Sequence, residues 1–240
     1  MFNDNNRNIM MGIILFVAIY FLYSMASSGE LMSMLLMLPG LILALTVHEF
    51  SHAKMADRLG DPTPEGQGRV TLNPLAHLDP AGTICLLFAG FGWGRPVQIN
   101  PTYFRNPSRD NMLVALAGPV SNMILAFISF LVYGFAWFFL PQETMWAGIL
   151  LSMLLLCAHI NLSLGVFNLL PLPPLDGSKI LGYFLKGKAR EFLWTLERYS
   201  MIILMILFIT ELPAMIISPI INTLANAMVF VVEKILLIFI

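Results

Sequence analysis

The fold of this chain is decided by an apolar stretch that ends in a polar motif, LMSMLLMLPGLILALTVHEFSH at residues 31–52. The stretch has no charged side chain before Glu49, and its length is close to the ~20 residues that a helix needs to cross a bilayer. It closes with a His-Glu-x-x-His motif at His48 and His52. Two histidines four residues apart lie on one face of a helix, so their imidazoles can bind a single cation.

Glu49 is the residue of this motif that is not needed as a ligand, and it is therefore free to move protons. An ionisable side chain inside a membrane segment costs ~2.5–3.5 kcal/mol and by default marks a functional site. The motif and its position together predict a zinc hydrolase built within a membrane.

The composition of the chain excludes an ordinary soluble protein. Of its 240 residues, 58% are hydrophobic and 11% are charged, with a net charge of −1, whereas soluble domains carry about 25% charged residues. Lysine and arginine occur in short clusters between apolar runs, so no nucleic-acid-binding face is expected. Cys85 and Cys157 are isolated in apolar surroundings, which predicts small buried side chains and neither a disulfide framework nor a thiolate zinc site.

Apolar runs recur along the chain and predict an all-α polytopic membrane protein with about six transmembrane helices. We expect residues 1–240 to form a single intramembrane domain, and the first span to be a retained helix and not a removed signal peptide. The predicted spans are residues 9–26, 31–55, 112–140, 145–170, 193–210 and 214–240.

Residues 60–107, between the second and third spans, differ from the rest because glycine and proline are frequent there. Two short β-like runs, 68–72 and 95–100, flank an apolar piece at 81–92 that is too short to span a membrane. Apolar runs of this length are more often re-entrant or interfacial. Non-helical backbone at membrane depth requires neighbouring protein or a water-filled cavity, so we expect this region to border such a cavity.

The basic residues predict the orientation of the chain. Apart from Lys234, the lysines and arginines lie before the first span, between the end of the second span and the third, or between the fourth span and the start of the fifth. The loops on the opposite side contain Glu30, Glu143 and Glu211 as their charged residues. The positive-inside rule therefore predicts that both termini and the zinc site face the cytosol. We expect an integral, multi-pass protein of a prokaryotic cytoplasmic membrane.

A third ligand is needed because catalytic zinc usually has three protein ligands and an open position for water. The strongest distant candidate is Asp176, in the stretch NLLPLPPLDG at residues 168–177. The prolines of this stretch forbid a regular helix, so the carboxylate can turn inward, and Gly177 allows close approach. The alternative is that Asp176 caps the helix that follows it, and the two roles can coexist.

These residues suggest a mechanism of metal-assisted hydrolysis. His48, His52 and Asp176 hold Zn²⁺, which activates a water molecule as the nucleophile. Glu49 takes the proton of that water and hands it to the leaving amine, first as a general base and then as a general acid.

The chain resembles the site-2 protease family of intramembrane zinc metalloproteases, in particular its short members without PDZ or CBS domains, and the resemblance covers nearly the whole chain. It implies one zinc ion bound by His48, His52 and Asp176, with Glu49 as the catalytic residue. It also implies cleavage of a transmembrane segment of a membrane protein in regulated intramembrane proteolysis. The motifs that carry it are His48-Glu-Phe-Ser-His52, Asn168-x-x-Pro171-x-x-x-x-Asp176-Gly177, Gly60-Asp-Pro62, Leu72-Asn-Pro-Leu-Ala-His77-Leu-Asp-Pro80 and Ala117-Gly-Pro-Val-Ser-Asn122.

Three further residues are predicted to contact the substrate. The amides of Asn122 and Asn168 could bind the substrate backbone or the oxyanion of the tetrahedral intermediate, or they could join helices by hydrogen bonds. The β-like run that contains Val70 could hold an unwound substrate by strand addition. His77 and His159 are expected to have structural roles.

Two rival functions remain open at this point. One is a catalytically idle relative that binds membrane proteins, which the intact motif residues disfavour. The other is a zinc transporter, which would typically show paired half-helices and symmetric repeats. The expected partners are a transmembrane protein substrate and the lipid bilayer, while the natural substrate and the oligomeric state are left open.

Overall fold

The computed structural model describes residues 27, 29–79, 82, 94–210 and 212–239. Apart from its connecting loops, this part of the chain is helical. Short 3₁₀ turns occur at Pro74–Ala76 and Pro101–Tyr103. The helices are α1 (Glu30–Arg58), α2 (Thr63–Gly66), α3 (Pro107–Phe139), α4 (Met145–Asn168), α5 (Asp176–Phe184), α6 (Lys188–Arg198), α7 (Ser200–Ile209) and α8 (Leu212–Phe239).

Four of these helices, α1, α3, α4 and α8, are long and apolar enough to cross a membrane. They correspond to the predicted spans 31–55, 112–140, 145–170 and 214–240, and the last three of these helices end one or two residues before the predicted bounds. The prediction of an all-α polytopic membrane protein is therefore confirmed.

The other two predicted spans have different outcomes. The span at 9–26 lies outside the described residues. The span at 193–210 is divided between α6 and α7, which meet at Tyr199. Helix α7 has 10 residues, about half of the ~20 that a crossing helix needs. The total of six spans and the single domain over 1–240 stay predictions.

The core of the bundle lies between α3, α4 and α8, and α1 packs on the other side of α3 and α4. Small residues allow the close approach that helices without a hydrophobic driving force need. A Cβ atom on Gly40 of α1 would lie 2.8 Å from Cα of Cys157 in α4, and one on Gly134 of α3 would lie 2.8 Å from Leu236 of α8. Cys157 is a buried free thiol, as predicted, and Cys85 lies outside the described residues.

The loop between α1 and α3 differs from the prediction of β-like runs. No strand forms in its described part, where Leu78 and Gly94 make an isolated antiparallel bridge. The guanidinium of Arg69 donates instead to the backbone carbonyls of Ala76, Arg95 and Pro96. The Arg69 side chain thus occupies carbonyl groups that a strand ladder would need. These hydrogen bonds connect the two predicted runs without pairing them as strands. The predicted re-entrant piece at 81–92 lies outside the described residues apart from residue 82.

Helix α3 begins at the same end of the bundle at which α1 and α4 end. Asn106 precedes it and accepts a hydrogen bond from the N–H of Arg109 at 3.3 Å. Asp110 accepts in return from the N–H of Asn106 at 3.0 Å. Such a reciprocal cap satisfies two backbone donors that a helix start leaves unpaired. The cap fixes the entry of α3 close to the candidate site.

Candidate metal centre

The last three turns of α1 present His48 and His52 to the interior of the bundle. Their ring centres lie 4.5 Å apart in an edge-on arrangement, and their Nε2 atoms are 2.9 Å apart. Both side chains are buried. The spacing of four residues therefore has the predicted effect of placing both imidazoles on one face of the helix.

Asp176 reaches the two histidines from the first residue of α5. Its Oδ2 atom lies 3.1 Å from Nε2 of His48 and 3.1 Å from Nε2 of His52. The N-cap position of α5 falls on Leu175, so the carboxylate is turned toward the imidazoles instead of capping its own helix. Gly177 permits this approach, because a Cβ atom there would lie 2.2 Å from the carbonyl oxygen of Leu170.

Hydrogen bonds on the far side of each ring determine which nitrogen faces the centre. Nδ1 of His52 lies 2.7 Å from the carbonyl oxygen of Val114, which can only accept, so this nitrogen carries the proton. Nδ1 of His48 lies 2.6 Å from Oδ1 of Asn122 and is protonated for the same reason. Both Nε2 atoms then direct lone pairs toward Asp176.

A chain of buried amides orients Asn122. Its Nδ2 group donates to the carbonyl of Ala44 at 3.0 Å and to Oδ1 of Asn161 at 2.9 Å, which leaves Oδ1 for His48. Asn161 in turn donates to the carbonyl of Cys157 at 2.9 Å. Asn122 and Asn161 are fully buried. Both ends of the Asn122 amide are thus engaged, which favours support of His48 over direct contact with a substrate.

Gly118 of α3 makes room for the two imidazoles, and sequence reasoning did not identify it. A Cβ atom at this position would lie 2.5 Å from Nε2 of His52 and 2.6 Å from Cε1 of His48. Any side chain larger than hydrogen would displace a ring. The signal in the sequence was the stretch Ala117-Gly-Pro-Val-Ser-Asn122, whose glycine has no visible purpose until α1 and α3 are packed together.

Glu49 lies beside the two histidines and faces a cavity of about 160 Å³. Its Oε2 atom accepts a hydrogen bond from the backbone N–H of Val97 at 3.0 Å. The residues that line the cavity include Glu49, the three candidate ligands His48, His52 and Asp176, and also Asn168 and Lys179. The space is sufficient for water, since a cavity of roughly 10–15 Å³ on this measure holds one molecule, and it lies next to a carboxylate that can accept a proton.

The three candidate ligands could hold a metal ion. Tetrahedral zinc with bonds of about 2.0–2.1 Å places its ligand atoms about 3.3 Å apart, close to the 2.9–3.1 Å among the two Nε2 atoms and Oδ2. Two imidazoles and one carboxylate are a donor set that catalytic zinc sites use. The residues present therefore fit Zn²⁺.

The charge of Asp176 suits this role. Burial raises the pKa of its carboxyl, but the adjacent imidazoles of His48 and His52 and the charge of Lys179 outweigh burial and hold the pKa well below its usual range. The carboxylate is therefore ionised at neutral pH, as a metal ligand must be.

The remaining predicted site residues lie in different places. Asn168 lines the cavity, and its Nδ2 donates to the carbonyl of Leu164 at 3.0 Å. Val70 is half-buried in a bend of the loop and does not line the cavity. His77 is fully buried with Nε2 2.8 Å from the carbonyl oxygen of Thr71, and His159 contacts the carbonyl of Leu155 in its own helix, in keeping with structural roles.

Comparison with known proteins agrees with this geometry. The sequence profile of peptidase family M50 matches residues 136–210, which include the stretch that ends in Asp176. The chain is 42% identical over 186 residues to "Putative zinc metalloprotease YwhC" of Bacillus subtilis, covering 76% of this chain and 84% of the relative. It is 31% identical over 181 residues to "Putative zinc metalloprotease Rip2" of Mycolicibacterium smegmatis, covering 73% and 67%.

A shorter match is to "Putative zinc metalloprotease MJ0611" of Methanocaldococcus jannaschii, 39% identical over 88 residues, which are 36% of this chain and 38% of the relative. No solved structure matches the chain significantly. The extent of the match to YwhC, together with the profile and the four apolar helices, decides the family. The chain belongs to peptidase family M50, the site-2 protease family, and is a membrane zinc metalloprotease.

Proposed function

We propose that this protein is an intramembrane endopeptidase that hydrolyses a peptide bond within a transmembrane segment of a membrane-protein substrate, in regulated intramembrane proteolysis. The observation that carries the proposal is the meeting of two Nε2 atoms and Oδ2 of Asp176 beside Glu49, in a cavity at the ends of apolar helices. A hydrolytic centre in this position acts on chains that lie in the membrane and not on soluble ones.

In the proposed mechanism His48, His52 and Asp176 hold the zinc ion. When bound, zinc lowers the pKa of a water molecule and polarises the scissile carbonyl. Glu49 removes the proton from the attacking water and delivers it to the leaving amine. The N–H of Val97 holds the carboxylate of Glu49 in position, and the bonds from Asn122 and Val114 hold the imidazoles.

The substrate helix has to unwind locally, because a helix hides its peptide bonds from water and metal. Substrates with glycine, proline or asparagine near the cut unwind at lower cost, by up to about 1 kcal/mol for glycine relative to alanine. Asn168, which lines the cavity, is a candidate to bind the unwound backbone. Val70 and Asn122 remain candidate substrate contacts from the sequence, and Asn122 is better placed for its role behind His48.

The proposed setting is a prokaryotic cytoplasmic membrane with the metal centre toward the cytosol. This orientation is supported by the basic residues, which concentrate at the metal-site end of the bundle. Among them, Lys54 and Arg58 end α1, Arg109 begins α3 and Lys179 lies on α5.

The experiment that tests the proposal compares wild type with Glu49→Gln, using Glu65→Gln, an exposed glutamate of α2, as the matched control. Bound zinc is measured in each, and each is then given a membrane protein with one transmembrane segment. We expect zinc in all three proteins and cleavage by wild type and Glu65→Gln. Glu49→Gln should be slower by about 10²–10⁴-fold, the usual contribution of a general base.

His48→Ala should lose zinc as well as activity, since a ligand is removed. Normal cleavage by Glu49→Gln would overturn the assigned mechanism. Zinc binding without cleavage of any transmembrane segment by the wild type would favour an idle, substrate-binding relative.

A further inference from the structure

A second cleft lies next to the metal cavity and is not used by the mechanism above. It has a volume of about 310 Å³ and lies between the start of α3, α5 and α6. Its walls include Ser108 of α3, Tyr183 of α5, and Arg190, Trp194 and Glu197 of α6.

The cleft continues the metal cavity. Asn111 of α3 and Lys179 of α5 line both spaces. Nζ of Lys179 lies 3.5 Å from Oδ1 of Asp176, so this lysine stands between the metal centre and the cleft. A peptide held at the metal centre therefore has a direct path past Lys179 and Asn111 into the cleft.

The charged groups of the cleft favour an anionic ligand. Among its described lining residues the charged ones are Lys179, Arg190 and Glu197. Lys179 already faces the carboxylate of Asp176, so Arg190 is the cation that a ligand in the cleft would meet. The guanidinium carbon of Arg190 lies 5.3 Å from the ring centre of Trp194, a cation–π arrangement that restrains the guanidinium. The side chain of Lys179 is 41% exposed and Trp194 is 56% exposed, so a ligand can reach both.

We propose that this cleft binds the segment of the substrate that leaves the membrane beside the cut, as a peptide carrying an acidic side chain. Arg190 would bind the carboxylate through its planar fork of donors, and the rings of Trp194 and Tyr183 would pack against a neighbouring apolar residue. The inference rests on the proposed function, because it describes the continuation of a chain cut at the metal centre.

The kinetic test uses a set of cleavable membrane substrates. Each carries either glutamate or glutamine at one position of the segment that leaves the membrane at the metal-site end, and this position is varied along the segment. For wild type we expect kcat/KM to be about two- to fivefold higher with glutamate at the best position, the range for an ion pair open to water. In Arg190→Gln this ratio should fall to about one. Arg198→Gln, a neutralised arginine of the same helix outside the cleft, should keep the wild-type ratio.

Charge reversal provides the rescue. Arg190→Glu should prefer a substrate with lysine at that position over one with glutamate. An equal ratio for wild type, Arg190→Gln and Arg198→Gln at every position would overturn the proposal. An equally large fall of the glutamate-to-glutamine ratio in Arg198→Gln and Arg190→Gln would also overturn it.

A binding test separates this proposal from the proposed function, because it needs no cleavage. In the Glu49→Gln protein, Trp194 is replaced by the photoreactive p-benzoylphenylalanine. In the control, the same residue replaces Phe192, which is 64% exposed on the same helix but lies outside the cleft. We expect cross-links to the substrate segment from position 194 and few from position 192. Cross-links from position 194 to phospholipid alone, or equal yields from both positions, would overturn the cleft as a peptide site even if the enzyme cleaves normally.

Discussion

Asn122 shows how much of the metal centre depends on residues that would not touch the metal. Its Oδ1 accepts from Nδ1 of His48, and Ala44 and Asn161 fix its orientation. We predict that Asn122→Ala weakens zinc binding by about 10–100-fold, the usual cost of losing such a partner. Competition with a chelator measures the affinity, and Asn226→Ala, which removes an exposed amide of α8, should leave the affinity unchanged. Equal affinity in Asn122→Ala and wild type would contradict the assigned role.

Gly118 makes a second prediction at the scale of one residue. Gly118→Ala should displace the imidazoles and reduce bound zinc well below one ion per chain, because the new Cβ would lie 2.5 Å from Nε2 of His52. The control is Gly148→Ala in α4, where a Cβ atom would meet nothing within 4 Å. Alanine favours a helix over glycine by about 1 kcal/mol, so the control should bind zinc and be at least as stable in thermal unfolding. Full zinc occupancy in Gly118→Ala would show that the rings do not need this space.

The sequence indicated the candidate ligands of this centre more clearly than the groups that support them. His48 and His52 are visible because their spacing matches the helical repeat, and Asp176 because prolines and a glycine mark an irregular turn at the right depth. The carbonyl of Val114 and the N–H of Val97 are backbone groups that every residue has, so no residue type indicated them. Gly118 acts through the distance between two helices, which only the packed structure shows.

At the scale of elements, the segment between Gly94 and the turn at Pro101, which has no regular secondary structure, positions the carboxylate of Glu49, the proposed general base. The N–H of Val97 donates to Oε2 of Glu49, and hydrogen bonds to charged groups contribute about 1.5–3 kcal/mol. We predict that Val97→Pro, which removes this donor, lowers kcat by roughly tenfold or more and leaves bound zinc unchanged.

The comparison for this variant is Gln98→Pro in the same segment. Proline at position 98 favours extended backbone at Val97 and keeps the N–H of Val97. A loss of zinc in Val97→Pro, or an equal loss of kcat in both variants, would show that the segment acts through the fold and not through Glu49.

Two elements differ from their sequence predictions for identifiable reasons. The run at 68–72 has the composition of a strand but bends, because Arg69 donates to the carbonyls of Ala76, Arg95 and Pro96. The range 193–210 is apolar enough to suggest one span, but the first part of it belongs to α6, whose Leu193 packs against Gly182 of α5. In both cases a tertiary contact overrides a local pattern.

At the scale of the whole molecule, the proposed orientation places the start of α3 on the cytosolic side of the membrane and its end on the other side. In a chain with Cys85 and Cys157 replaced by serine, a cysteine at Arg105, just before α3, should react with a membrane-impermeant maleimide only after cells are opened. A cysteine at Gln142, in the loop after α3, should react in intact cells. The reverse pattern would invert the topology, and labelling of both positions in intact cells would indicate that α3 does not cross.

The central claim is that two distant stretches of the chain meet around one zinc ion in the membrane. X-ray absorption at the zinc edge of the purified protein tests it most directly, with Asp176→Ala as the comparison. We predict that the zinc ion of the wild type is bound by two imidazole nitrogens and by oxygen ligands at about 2.0–2.2 Å, without sulfur. Asp176→Ala should lose one of these oxygen ligands and much of the zinc affinity. An unchanged zinc spectrum and affinity in Asp176→Ala would contradict the account.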